Sequence, residues 1–312
     1  MTRIAFVDAA KAICIFLMVV GHWSHNHLLL TYIYSFHMPA LFVVSGYLYR
    51  PHSWKKTLLA FSIPVVFFSL VNLMVQLCLG ETLFADVTPS KIFFRIFHYR
   101  YGLDESLFVG DWFLWSLVGM RLLFGDVPAL GILRKYYVPI ALLCVAYMTF
   151  ESRLVPIDTL FRGYLIGRIV PSMVFFCAGL WLRDREWTPR SVPAAGLALL
   201  AVAAIVLPVA NGPCAIVAND YGWSYALSAV CAIAATLLLF VIADRLPVSE
   251  YVETVSKGTL VVLGTHIPIL HLLKAVLPEA LGFTFPFITI VVCYYIIVLC
   301  ERYCPVLLGK WR

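Results

Sequence analysis

Runs of apolar residues alternate along this chain with short polar breaks, and most of the runs have nearly the same length. Ten of them approach or reach the roughly 17–25 residues a helix needs to cross a bilayer. They cover about 9–28, 31–49, 57–79, 107–124, 136–150, 165–182, 192–210, 223–243, 259–277 and 284–303. Each predicts a helix, because a segment in lipid must satisfy its backbone N–H and C=O groups internally. No small-residue cleavage site follows the first run and the second begins almost at once, so the first helix is expected to stay as an anchor. Neither an internal repeat nor a domain boundary is visible. Residues 1–312 read as one all-α polytopic bundle.

Composition narrows the class further. Hydrophobic residues make up 62% of the chain and charged residues 13%, against about 45–50% and about 25% in soluble proteins. A soluble enzyme of ordinary build, a disordered chain and a disulfide-stapled secreted module are all excluded. The net charge of +6 comes from Lys and Arg scattered between apolar stretches rather than from a basic tract, so no nucleic-acid partner is expected. Most of the nine cysteines lie inside apolar runs and no C-x-x-C pair occurs. They read as small hydrophobes rather than metal ligands or redox pairs.

Loop charges set an expected orientation. With the N-terminus inside, Arg3, Arg50, Lys55, Lys56, Arg134, Lys135, Arg183, Arg185, Arg190, Arg245, Lys257, Arg302, Lys310 and Arg312 fall on the cytoplasmic side. Lys91, Arg95, Arg100, Arg153, Arg162, Arg168 and Lys274 fall on the other. That two-to-one bias predicts both termini in the cytoplasm. The long outer break, 80–106, carries an aromatic and arginine-rich stretch around Lys91–Tyr101. It reads as an amphipathic helix in the interface, or as a lid over a sugar.

Ionisable residues inside spans are costly and usually functional, so each is a candidate. Lys11 and His22 in the first helix are eleven residues apart, about three turns with a ~20° drift and ~16 Å of rise. They share a face, with Asp8 and His25 on the same stripe. The second helix carries Ser35-Phe36-His37-Met38-Pro39 and Ser45-Gly46-Tyr47; His37 is expected ~9 Å below the outer face, within reach of His22. Pro39 frees a carbonyl that the bundle must satisfy. Asp111, Trp112 and Trp115 open the fourth span at the same level, where the indoles read equally well as an interfacial belt. In the ninth span His266 and His271 are about 140° apart and cannot face one ligand. Gly264-Thr265-His266 is the better candidate. His22 and His25 have helix-face spacing, but His27 falls on another face and no intramembrane carboxylate joins them, so no metal is expected. A proton relay through these His, Lys and Asp residues, in a transporter or a glycan-export subunit, is the alternative to an enzyme.

Together, Asp8-x-x-Lys11-x10-His22, the two second-helix motifs, Trp112-Phe113-Leu114-Trp115 and Gly264-Thr265-His266 resemble the acyltransferase 3 family of membrane O-acyltransferases. Within it they look most like the fucose 4-O-acetylase-like branch. The resemblance implies a ten-helix protein of the bacterial inner membrane that moves an acyl group, usually acetyl, from acyl-CoA to a hydroxyl of an extracytoplasmic glycan or lipid-linked sugar. The family's basic-x10-His motif falls on Lys11 and His22, and its basic cluster after helix two on Arg50, Lys55 and Lys56. The expected roles follow: His22, Lys11 and Asp8 for catalysis; His37, Ser45, Asp111, Trp112, Trp115 and His266 for binding or supporting the acceptor; Arg50, Lys55 and Lys56 for the phosphates of acetyl-CoA. An ordinary imidazole, with a pKa near ~6.5, suits a base that takes a proton from a sugar hydroxyl at neutral pH.

Overall fold

A computed structural model describes residues 4–80, 110–154 and 166–310. Among these residues there are eleven α-helices and no β-strand: α1 (Ala5–Trp23), α2 (His27–Tyr47), α3 (Trp54–Cys78), α4 (Asp111–Arg121), α5 (Tyr137–Leu154), α6 (Ile166–Asp184), α7 (Ala194–Asn211), α8 (Tyr225–Ala243), α9 (Glu250–Lys257), α10 (Thr259–Val276) and α11 (Phe285–Tyr303). Among the described residues, eight helical stretches are long and apolar enough to cross a membrane: α1, α2, α3, Pro128–Phe150, α7, α8, α10 and Glu279–Tyr303. The chain is an all-α, multi-pass membrane bundle. Large apolar side chains point outward along it, among them Phe67 and Met74 on α3, Leu142 and Leu143 on α5, Leu199 and Ile205 on α7, and Tyr295 and Leu299 on α11. In water that surface would be a liability; against lipid tails it is the required solvent match.

Each of the ten apolar runs carries a helix, but the ends differ from the sequence reading. Helix α1 stops at Trp23, where extended Ser24 sends its N–H to Val20 O. His25 therefore leaves the Lys11–His22 stripe. Helix α2 starts four residues earlier than its apolar run, because the Asn26 side chain accepts from Leu29 N at 3.0 Å and caps it. His37 is thus ten residues into the helix, ~15 Å along it rather than ~9 Å. The fourth run holds only the short α4, followed by a π-helical turn over Leu122–Asp126 and a 3₁₀ stretch over Pro128–Tyr136. Gly125 sits at φ 147° in that turn, a conformation essentially reserved for glycine. Helix α9 was not foreseen; Ser249 caps it by accepting from Val252 N. The stretch around Lys91–Tyr101 lies outside the described residues.

Two glycines fix the tightest crossing. On α2, a Cβ added to Gly46 would lie 2.0 Å from Phe176 O; on α6, one added to Gly179 would lie 2.0 Å from Val43 O and 2.6 Å from Tyr47 N. The two backbones touch directly, the way membrane helices pack when small residues let them approach.

At the end of the bundle where α2 gives way to α3, buried Asp126 gathers four donors. It accepts from Tyr49 Oη at 3.1 Å, His52 N at 2.8 Å and Arg121 Nε at 3.2 Å, and from Thr57 Oγ1. Arg183 Nη1 donates to Tyr49 O at 2.6 Å from α6. Burial, and then the neighbouring Asp126 carboxylate, push the Tyr49 phenol above its ordinary range, so it stays a donor. Asp126→Ala would orphan these buried donors, and is expected to destabilise the protein by about 2–5 kcal/mol. Asp126→Asn, which keeps one acceptor oxygen, should cost less. Thermal unfolding of the two variants in detergent checks the order; equal midpoints would show that the carboxylate does not organise this turn.

Candidate active site

His22 occupies the last turn of α1 and is exposed, although helices surround it, because its ring opens onto two cavities. The inner one, ≈ 190 Å³, is lined by Met18, His22, Tyr34, His37, Met38, Trp112, Leu263 and His266 and by residues 215–218. The rings of His22 and His266 lie 5.0 Å apart, and those of Tyr34 and His37 5.5 Å apart. Tyr34 also ties α1 to α2: its hydroxyl donates to Gly21 O at 2.8 Å. Gly21 must be small there, since a Cβ would meet Tyr34 Cε1 at 2.9 Å.

His37 and His266 are held in the same manner. Nδ1 of His37 lies 2.7 Å from Ile33 O, and Nδ1 of His266 lies 2.8 Å from Val262 O, in each case the carbonyl one turn back. A carbonyl can only accept, so each Nδ1 carries a proton and each neutral ring keeps its lone pair on Nε2. Nε2 of His266 is buried without a hydrogen-bond partner among the described residues, in a side chain that lines the cavity. Such a group needs a ligand or a water to complete it.

Each of these histidines is followed two positions later by a proline, Pro39 and Pro268. Pro268 frees the Gly264 carbonyl, and Asn72 on α3 takes it up with an Nδ2–O distance of 2.9 Å. Gly264 is packed under Phe68, which an added Cβ would meet at 2.2 Å. Thr265 donates to Val261 O on its own helix at 2.7 Å. In Gly264-Thr265-His266 only the histidine turns to the cavity; its two companions build α10 and its contact with α3.

A loop closes the remaining side. The 3₁₀ turn Ile216–Ala218 is anchored by a two-hydrogen-bond bridge between Ala215 and Asp220. Buried Arg168 of α6 grips Val217 O with both Nε, at 3.1 Å, and Nη2, at 3.0 Å. The loop charge count had placed this arginine in an outer loop; it is a core residue. Asn211 holds the loop's other limb, donating to Tyr221 O at 2.8 Å and accepting from Ser224 N at 3.1 Å.

The remaining candidates divide by place. Lys11 Nζ donates to Ser256 O at 2.6 Å, and Asp8 Oδ1 accepts from Ser256 Oγ at 2.6 Å. Both act at the α9–α10 junction, about three turns from His22 for Lys11 and about four for Asp8, although the Lys11–His22 face is turned toward α9 and α10. Asp111 is buried beside the cavity residues Gly110 and Trp112 without lining it. Trp115 is half-buried one turn on, and Ser45 donates back to Leu41 O; neither reaches the cavity. Arg50, Lys55 and Lys56 are exposed at the opposite end of the bundle, where Arg121 Nη2 donates to Arg50 O at 3.2 Å and Lys55 lies 5.5 Å over the Trp54 ring. About 15 Å of α2 separates His37 from Tyr47, just short of that basic end.

Fold and site together define a multi-pass membrane protein with a histidine-lined cavity buried between its helices. Over residues 4–301 the chain matches the model of the acyltransferase 3 family, described as an acyltransferase domain. It belongs to that family, and is a membrane acyltransferase. No curated protein and no solved structure matches it.

Proposed function

We propose that this protein is an O-acetyltransferase of the fucose 4-O-acetylase-like branch, set in a bacterial inner membrane with both termini in the cytoplasm. In this reading it moves acetyl from cytoplasmic acetyl-CoA to a hydroxyl of a cell-surface or exported glycan, or of its lipid-linked precursor. The observation that carries the proposal is His22, an exposed imidazole at the meeting point of two cavities in a chain of this family.

The basic end with Arg50, Lys55 and Lys56 faces the cytoplasm under the positive-inside rule. There it meets the phosphates of CoA, and the pantetheine arm runs inward toward the apolar cavity. The acceptor hydroxyl oxygen attacks the thioester carbonyl carbon. As the C–O bond forms, His22 takes the hydroxyl proton; as the C–S bond breaks, the proton passes to the departing thiolate and CoA leaves as the thiol. General-base assistance of this kind contributes about 10²–10⁴-fold. The lone pairs of His37 and His266 face the same space and can hold the reacting groups in place.

Mass spectrometry of surface glycans from cells with and without the protein is the direct test: acetyl groups should be present only with it. Identical glycans would overturn the proposal. On the donor side, neutralising Arg50, Lys55 and Lys56 together is expected to raise the apparent KM for acetyl-CoA about tenfold or more. Charge-assisted contacts contribute about 1.5–3 kcal/mol each. An unchanged KM would remove the three residues from the donor site.

A further inference from the structure

The second cavity that His22 opens onto is larger, ≈ 530 Å³, and differs in chemistry. It lies between the end of α1, the C-terminal half of α10 and the turn leading into α11. Trp23, His25, His271, Lys274, Glu279 and Phe283 give it its character. His271 belongs to it for the reason that separates it from His266: the ~140° between them on α10 turns one to each cavity. Among the described residues, His22 is the one side chain lining both spaces.

We infer that this outer cavity is the acceptor site, that it takes a pyranose ring, and that donor and acceptor meet His22 from opposite sides. The inference rests on the acyl-transfer reading above. Size separates the two spaces first. Small-molecule sites run from about 300 to 1,000 Å³; the outer cavity falls within that range and the inner falls short of it. The inner space, walled by Met18, Met38, Leu263 and Trp112, suits the short acyl end of a thioester.

Chemistry separates them next. A sugar ring presents hydroxyls around its edge, each both donor and acceptor, and apolar C–H groups on its faces. The outer cavity offers donors at Lys274, an acceptor at Glu279, imidazoles that can do either, and aromatic surface at Trp23 and Phe283. Trp23 is firmly placed: its ring lies 4.8 Å from that of Phe285, and a Cβ on Gly282 would meet its Cζ2 at 3.1 Å. Phe283 is 74% exposed. An acyl chain would leave Lys274, Glu279 and the imidazoles unused.

The test uses the full chain in detergent or nanodiscs, with acetyl-CoA as donor and the producing strain's own glycan, de-O-acetylated with mild base, as acceptor. Lys274 and Glu279 are exposed, so replacing them leaves the packing alone. The double variant Lys274→Ala, Glu279→Gln should raise the apparent KM for glycan about tenfold or more, with a much smaller effect on the KM for acetyl-CoA. Lys274→Arg should recover most of the loss. A glycan KM equal to that of the unmodified protein, or donor and acceptor constants moving together, would overturn the assignment. An unmodified protein that transfers nothing to the glycan would sink the acyl-transfer reading itself, and this inference with it.

Discussion

Replacing His22 with glutamine is expected to leave the protein in the membrane at its normal level while abolishing acyl transfer. Stability should hold because His22 is exposed to the cavities and glutamine supplies similar length and a hydrogen-bonding amide. Transfer should fail because an amide cannot take up the acceptor's proton, and loss of a general base costs about 10²–10⁴-fold. His27→Gln, at the exposed start of α2, should leave acetylation intact. Glycan acetyl content by mass spectrometry, set against protein level by immunoblot, measures both halves. Full acetylation in the His22→Gln strain would return this histidine to a packing role.

The largest effect on folding is expected at the α2–α6 crossing. Gly179→Val places a branched side chain where a single Cβ already meets Val43 O at 2.0 Å. No rotamer relieves a clash with backbone, so the helices must separate. Overpacking a well-filled core typically costs about 1–3 kcal/mol, and this contact is tighter than a side-chain overlap. The damage would spread to the site, because α2 carries His37 and α6 carries Arg168, which grips the cavity's closing loop. The variant should fail to accumulate, or elute as aggregate in detergent. Gly196→Ala on α7, whose added Cβ would meet its neighbours at an ordinary 3.4 Å, should behave normally. A monodisperse Gly179→Val protein would show that the crossing tolerates separation.

Spans were legible in the sequence because lipid imposes one simple demand, a long apolar helix. The Lys11–His22 face was legible for a related reason: helical periodicity is rigid, so eleven residues return the chain to nearly the same side. Turns were harder. The Asn26 cap that starts α2 early and the Ser24 break that takes His25 off the stripe are single-residue events inside an apolar background. Harder still were polar groups whose partners lie far along the chain. Asp126 collects donors from residues 49, 52 and 57, and Asn72 completes a carbonyl on α10, 192 residues away. Arg168 was visible only as a charge, and its place in the core depends on the carbonyl of Val217. The outer cavity was missed because its residues come from three segments, with His271 set aside for pointing away from His266. A polar residue set within or at the end of an apolar stretch, Asn72 inside α3 and Asn211 closing α7, was the sequence signal for these networks.

The pinned rings of His37 and His266 bear on the traffic of protons. A histidine passes a proton across a membrane by accepting it on one nitrogen and releasing it from the other, so both edges must be open to the path. In these two rings the Nδ1 edge is closed against the helix backbone. A proton reaching Nε2 has no exit on the far side and must leave the way it came, unless the ring first breaks its bond and turns. These side chains are cul-de-sacs: well made for holding a group in place, and poorly made as stepping stones.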